Sequence, residues 1–462
     1  YPPDRSSMGI IQASIPVFFV LIAVELLFAR WGHRALYRLN DSIADLSAGT
    51  LSQLAGIFTK VLLVGAYSWV YDHARLQRFI ALPLWPDGPA WAAPTGALNA
   101  VAIVGWIAAF LVVDLAYYWF HRVSHEVNLF WAGHVVHHSS EEYNLAVALR
   151  QTAVGGLLSW VFYMPLALLG MSLGQFATCY ALNLIYQFWI HTRAVGQLPR
   201  WAEAVLNTPS HHRVHHGVNP EYQDRNYAGV FIVWDRWFGT FTPETHEPVY
   251  GLTTPLRSWN PLWAQVHQYV TIARNVRASK SWRARWLHVF GSPGWRPDAA
   301  GGPIVIPPAT PRTFLKFDPA VSPVLARYAL VHFVFAIPAA LWLLTVASSL
   351  TLASLAAGCF YVALTLTNVG GVLEGRRWAF VTEQARLVAL GIAGLVLALS
   401  PLASTSEWHP LARVMTALSV LLAIGSLRVL RRHRAQFTMT SDESMDFGHA
   451  REQLRDHTGE LA

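Results

Sequence analysis

Nine apolar runs, most of them near the ~20 residues that carry a helix across a bilayer, leave this chain few ways to fold. They lie at about 11–29, 51–71, 98–120, 153–172, 175–191, 327–348, 351–373, 379–399 and 411–427. One such run fits a buried helix of a water-soluble protein; nine in a single chain do not. With 53% hydrophobic and 13% charged residues, the 462-residue chain is far more apolar than an average soluble domain. The expected fold is all-α: a polytopic transmembrane helical bundle of about nine spans. The 175–191 run is the least regular, being shorter and carrying Asn183 and Gln187.

Basic residues orient the bundle. Arg30, Arg34 and Arg38 follow the first run, Arg376 and Arg377 separate the seventh and eighth, and Arg428, Arg431, Arg432 and Arg434 follow the last. Arg122, Arg150, Arg193, Arg200 and Arg213 lie between the third and sixth. The turns near Pro165–Gly174 and Ser348–Leu350 carry no charge. Nine crossings, with the N-terminus outside and the C-terminus inside, satisfy this pattern.

Three histidine clusters fall on the inner side of that topology. They are His121-Arg-Val-Ser-His125, His134-Val-Val-His137-His138 and His212-Arg-Val-His215-His216. A helix brings positions i, i+3 and i+4 to one face, so each cluster can aim its imidazoles at one point. Imidazole is a common ligand of iron, zinc and copper, and eight exceed the about six that one first-row ion takes. The pattern asks for two metal ions. An isolated histidine at an apolar helix end is usually only a hydrogen-bonded side chain, but three clusters with repeated helical spacing are poorly explained by chance.

Several neighbours are candidates for support. His191 closes the fifth run and returns to the same membrane side, as a ninth ligand or a donor behind the ligands. His211 points about 100° away from His212 and is at most a supporting residue. Asp114 lies two helical turns before His121, and an ionisable group inside a span is costly and usually functional. Asp114, Asp224 and Asp235 can each accept an N–H from a ligand ring. Glu126, Glu141 and Glu142 adjoin the clusters, the last pair reading most simply as surface charge.

The net charge is +7, with arginine dominant and lysine only at Lys60, Lys280 and Lys316. Set in loops beside apolar runs, these charges read as membrane anchors rather than a nucleic-acid surface. The arginine bias suits a GC-rich bacterial genome, and so a bacterial inner membrane, or the ER membrane if the source is eukaryotic. Cys179 and Cys359 lie inside spans and form no thiolate motif. The start, Tyr1-Pro-Pro-Asp, lacks the basic region and cleavage site of a signal peptide.

The expected organisation is 1–97, N-terminal spans with an outside loop at about 72–97; 98–245, the catalytic region; 246–325, a cytoplasmic amphipathic and linker region; 326–434, a four-span block; and 435–462, a polar tail. Within the third part, 261–290 interleaves apolar and basic residues, as in a helix lying on a membrane surface or packed on the catalytic region. The stretch 291–312 reads as a Gly/Pro-rich linker.

HRVSH, HVVHH and HHRVHH followed by NYAGVFIVWDRWFGTF resemble the fatty acid hydroxylase/sterol desaturase superfamily of membrane di-metal oxygenases over about 98–245. WAGHVVHHSSEEYNLAVALRQ, QFWIHT, NTPSHHRVHHGVNPEYQDRNYAG and PVYGL resemble more closely its ether-lipid-cleaving members. That resemblance implies two Fe ions, O2, tetrahydrobiopterin as reductant and a lipid substrate drawn from the bilayer. The substrate would be an alkylglycerol, hydroxylated beside the ether oxygen to a hemiacetal that collapses to a fatty aldehyde and a glycerol. Glu126, Tyr143, Asn144, Arg150 and Gln151 become catalytic or cofactor candidates. The alternative is a fatty acid, sterol or carotenoid hydroxylase or desaturase with a protein electron donor. A metal transporter, a third reading, would put its ligands near the membrane midplane rather than past span ends.

Overall fold

The computed structural model describes residues 5–78, 85, 100–298, 301–306, 308–311, 313–399 and 409–438. Among them the regular structure is helical, with two isolated β-bridges and no strand, so the fold is all-α. The chain divides into two compact units, Tyr1–Leu256 with Ala264–Lys316, and Arg257–Trp263 with Phe317–Ala462.

The first unit holds α1 (Arg5–Trp31), α2 (Leu39–Ala74), α3 (Ala100–Glu126), α4 (Asn128–His138), α5 (Leu145–Ala148), α6 (Gly155–Leu168), α7 (Leu173–Trp189), α8 (Arg200–Val205), α9 (Pro209–His215) and α10 (Val233–Phe238), most of α11 (Pro261–Ala278), and α12 (Trp282–Phe290). Its core includes two apolar clusters that join the long helices. Ala109 and Val113 of α3 pack with Tyr163 and Leu166 of α6 and Cys179 of α7. Phe18 and Ile22 of α1 pack with Leu145, Ala148 and Phe188, and the Phe18 and Phe188 rings stack at 4.2 Å.

The second unit holds α13 (Pro323–Val346), α14 (Leu352–Leu373), α15 (Arg377–Leu399) and α16 (His409–Arg432), consecutive helices packing on one another. Serine or threonine caps start two of them: Ser322 accepts from the Leu325 amide and Thr351 from the Ser354 amide. A buried polar node ties all four. Glu383 pairs with Arg386 at 2.6 Å, Asn368 donates to Glu383, and His332 bonds Arg386 and Ser426. Such a pair tolerates an apolar setting only because its remaining donors and acceptors are matched. Glu374 fastens the 257–263 segment by accepting from the Ser258 hydroxyl and the amides of Trp259 and Asn260.

Among the described residues six helical stretches are long and apolar enough to cross a membrane: Ala13–Trp31, Leu39–Arg78, Ala102–Glu126, Pro323–Ser349, Leu352–Leu373 and Arg377–Val396. The chain is a multi-pass membrane protein. The fourth expected span, 153–172, is shorter than the sequence suggests, with 14 residues in α6, whereas α7 keeps the 17 residues expected of the fifth. At about 1.5 Å per residue these reach roughly 21 and 26 Å, short of a ~30 Å hydrocarbon core. The reason is local. Ala153 N–H donates to Gln265 before α6 begins, and α6 ends in a Schellman turn. There Gly170 N–H bonds Ala167 O and Met171 N–H bonds Leu166 O, with Gly170 at φ +80°. Ser172 then caps α7. The ninth run lies in α16, outside the six. Most of the expected outside loop at 72–97, and the tail beyond 438, lie outside the described residues.

Candidate metal centre

His121 and His125 occupy the last turns of α3, and only Val127 separates that helix from α4. Asn128 sets the bend: its amide donates to Gly291 O and its side chain to His288 O, at 2.9 and 2.8 Å. The histidines of α4 therefore turn back over the end of α3. The antiparallel α6–α7 pair returns the chain to the same place, and His191 follows α7 by two residues. Thr208 caps α9 with Pro209 in its first turn, and α9 delivers His212 and His215, with His216 directly after.

The imidazoles form two sets: His121, His125, His134, His138 and His215; and His137, His191, His212 and His216. Within each set one ring nitrogen per residue lies within 4.8 Å of all the others. The sets do not follow the sequence clusters, and helix geometry explains the division. Residues i and i+4 are about 40° apart around the axis, whereas i+3 lies about 60° to the other side. So His134 and His138 face one set and His137 the other. In α9 the roles exchange: His212 and His216 face the second set and His215 the first. The expectation that each cluster aims at one point holds for the first and is corrected for the other two.

Inside the first set the Nε2 atoms of His134 lie 2.9 Å from His121 and 3.1 Å from His138, and His215 lies 3.2 Å from His138. In the second set His191 Nε2 lies 3.1 Å from His137 and 3.0 Å from His212. Two nitrogens each about 2.1 Å from one ion, at right angles, sit about 3 Å apart. The spacing thus fits two nitrogen-ligated ions. The buried His125 Nε2 and His216 Nε2 have no hydrogen-bond partner, and an ion would relieve the cost of leaving them so.

The opposite ring atom is held by the backbone. Nδ1 of His121 lies 2.7 Å from Tyr227 O, that of His137 3.1 Å from Arg150 O, that of His191 2.7 Å from Gln187 O and that of His215 2.9 Å from Arg225 O. A carbonyl can only accept, so each Nδ1 carries the proton and each Nε2 presents a lone pair. Burial holds His134, His138, His191, His212, His215 and His216 well below the ordinary histidine pKa, and brings His137 down to about 4. At neutral pH these rings are neutral, the state that binds metal.

The loop supplying two of those carbonyls is itself braced. Asp224 and Asn226 take positive φ, and Asn226 bonds His211 O, Thr242 O and the Thr242 amide. Asp235 accepts from the amides of Tyr227 and Ala228, both at 2.8 Å. Asp114 accepts from the Val230 and Phe231 amides, Trp234 Nε1 and Asn183. Neither carboxylate meets a histidine as the sequence suggested. Both bind the loop that holds the histidines, because backbone amides with no helical partner lie nearer. Asp224 stands 3.8 Å from His125 Nδ1, beyond hydrogen-bond range.

His211 turns away: its Nδ1 meets Leu206 O at 3.2 Å and its Nε2 pairs with Glu203 at 2.7 Å. Tyr143 is buried, its ring stacked on His191 and Tyr250 and its hydroxyl donating to Ile190 O. Asn144 caps α5 and bonds Leu36 O. Arg150 clamps Val136 O and Ser139 and pairs with the buried Asp45 at 3.0 Å. Glu126 pairs with Arg122 at 2.9 Å on the surface, and Gln151 bonds Ala148 O. Glu142, expected as surface charge, is buried among Arg38, Arg193 and Lys316. Two buried residues escaped the sequence reading: Asp45, and Glu25 of α1, which accepts from Tyr37, Thr192 and the Leu145 amide.

Residues 106–240 match the fatty acid hydroxylase family. The chain is 38% identical over 395 residues to alkylglycerol monooxygenase of Xenopus tropicalis, covering 84% of this chain and 83% of that one. It is 39% identical over 383 residues to alkylglycerol monooxygenase of Homo sapiens, covering 81% and 80%. The ornithine lipid hydroxylase OlsE of Rhizobium tropici is 27% identical over 150 residues, 29% of this chain and 43% of its own. No solved structure matches. Motif, histidine geometry and near-full-length likeness agree: the chain belongs to the fatty acid hydroxylase family and is a relative of the alkylglycerol monooxygenases.

Proposed function

We propose that this protein is an integral membrane di-iron monooxygenase that hydroxylates a lipid C–H bond with O2, its substrate an alkylglycerol. The observation that carries the reading is the pair of all-imidazole sets at the end of an apolar helix, in a chain alike along most of its length to enzymes of that name. The eight cluster histidines and His191 would hold the iron, within a catalytic region at 98–245. When bound, the two ions supply activation of O2 toward an unactivated C–H bond.

The chain's own residues do the rest. Carbonyls of Tyr227, Arg150, Gln187 and Arg225 fix the ring tautomers. Burial keeps the rings neutral. Rings of Tyr117, Trp131, Tyr143 and Tyr227 pack around the imidazoles and exclude water that would quench the oxidant. A lipid chain lying along the spans lends binding energy that orients the reacting carbon. One oxygen atom enters the carbon beside the ether oxygen. The other leaves as water with two electrons and two protons from a reductant. The resulting hemiacetal breaks its C–O bond, giving a fatty aldehyde and a glycerol.

The resemblance makes that reductant tetrahydrobiopterin. Its five candidate residues, Glu126, Tyr143, Asn144, Arg150 and Gln151, each have a protein partner. The arginine pattern supports a site at the cytoplasmic surface. The test is purified protein in lipid nanodiscs with air, reduced pterin and either an alkylglycerol or the ester-linked analogue of equal chain length. Fatty aldehyde from the ether alone is expected. Hydroxylation of a free fatty acid or sterol, without aldehyde from the ether, would replace this reading with the alternative.

A further inference from the structure

The protein's charge is concentrated in one segment. Residues 257–297 contain Arg257, Arg274, Arg277, Lys280, Arg283, Arg285 and Arg296 and no Asp or Glu. The chain has 34 basic and 27 acidic residues, so the other 27 basic residues balance all 27 acidic ones. The whole net charge of +7 resides here.

α12 gives that charge a shape. Trp282, Trp286 and Phe290 are 76%, 53% and 41% exposed. At spacing i, i+4, i+8 they form one stripe about 80° wide. Arg283 falls just past one edge of that stripe and Arg285 beyond the other; both are exposed, as is Lys280 before the helix. His288, on the opposite face, is buried against Trp295. A polar protein surface leaves no use for an aromatic stripe, and a bilayer interior leaves none for arginine edges. The head-group zone of a bilayer accommodates both.

The segment is also seated on a histidine-bearing helix. Asn128, the first residue of α4, donates to His288 O and Gly291 O and accepts from Gln268 of α11. Whatever holds α12 therefore holds the base of α4.

We infer that α12, with the basic residues before it, is a docking surface for anionic lipid head groups, which it engages through Trp282 and Trp286 between Lys280, Arg283 and Arg285. The occupant is a bilayer rather than an acidic protein because the exposed side chains are amphipathic aromatics edged by cations, on a protein that already lies in a membrane. Docking needs no metal and no turnover, so it stands or falls apart from the proposed reaction.

The test uses the full chain in nanodiscs of phosphatidylcholine alone, or with a third of it replaced by phosphatidylglycerol, and follows amide hydrogen exchange across 279–291. Each basic residue near an anionic surface changes binding about fivefold, so exchange should slow by more than that in the anionic discs. The slowing should vanish at high salt and in the K280Q/R283Q/R285Q variant, and weaken in W282A/W286A. Exchange in α9 should stay unchanged in every case, which shows that the variants are folded. Equal exchange in both lipids overturns the proposal, whether the segment is protected by apolar insertion alone or left open for a protein partner. So does slowing that survives removal of the three charges.

Discussion

At the scale of single residues, two neighbouring histidines that look interchangeable in sequence have opposite positions. His212 presents Nε2 to His191 at 3.0 Å, while His211 is spent on Glu203 and Leu206 O. Metal content separates them. His191→Ala, His137→Ala and His215→Ala should each lower bound iron, measured by mass spectrometry of the purified protein. His211→Ala should keep both ions and lower the melting temperature, because it removes the His211 partner of the half-buried Glu203 carboxylate and empties a buried site. Iron retained in His191→Ala would remove that residue from the ligand set. Acid provides a second test. An unfolded histidine takes a proton near pH 6.5, whereas His137 in the fold resists until about pH 4, and burial shifts the other six outside the spans in the same direction. Their folded values are depressed, so the stability they contribute is complete above about pH 6.5 and is lost as pH falls toward 4. Metal leaves in the same direction, because protons compete for the same lone pairs. Melting temperature and iron content should fall together across that window; a flat profile would mean that the rings are not held neutral by burial.

At the scale of elements, the helical spacing of HxxxH and HxxHH was readable in the sequence, and so was the apolar length of α3. The division of HxxHH between two sites follows from the same angles, but only once partner helices stand on both sides. What the sequence hid was the support. Four of the histidines are oriented by main-chain carbonyls, and every residue has one, so no residue type marks them. Asp114 was visible as an oddity within a span, yet its partners lie 116 and 117 positions later in the chain, at Val230 and Phe231. Gly229 lies against the same carboxylate. A Cβ there would meet Asp114 Oδ1 at 2.7 Å and Asn183 Oδ1 at 2.9 Å, both buried and already bonded. Gly229→Ala should therefore cost about 1–3 kcal/mol of stability by overpacking. Each Asp114 oxygen accepts from two donors, so Asp114→Asn sets an NH2 donor against two donors and should cost about 2 kcal/mol or more. Both should also loosen iron binding, since the loop they disturb carries the Tyr227 carbonyl that orients His121. Thermal melts of the apo and iron-loaded forms measure the two effects separately; a variant that melts early but binds iron normally would uncouple loop from site.

At the scale of the whole molecule, bringing all three histidine clusters together requires the chain to leave and re-enter one membrane side between His138 and His191. Nine full crossings meet that requirement, but so does a re-entrant pair, and the short α6 and α7 favour the pair. The number of crossings was hard to read because hydropathy counts apolar residues, while crossing depends on where a helix stops. Gly170 and the Gln265 contact stop α6 early at both ends. The turn after Leu168 should then lie within the membrane, sheltered from water on either face. Leu168→Cys reports this directly: the side chain is exposed on the helix surface, and the native Cys179 and Cys359 are buried, so background labelling is low. A membrane-impermeant maleimide should fail to label it in sealed vesicles of either orientation and should label it after detergent extraction. Labelling from the face opposite the histidines would mean that α6 and α7 cross completely, with the bilayer thinned around them or the helices extended by their flanks. Both outcomes keep the histidines on one side; only labelling from the histidine face would contradict a membrane-inserted hairpin.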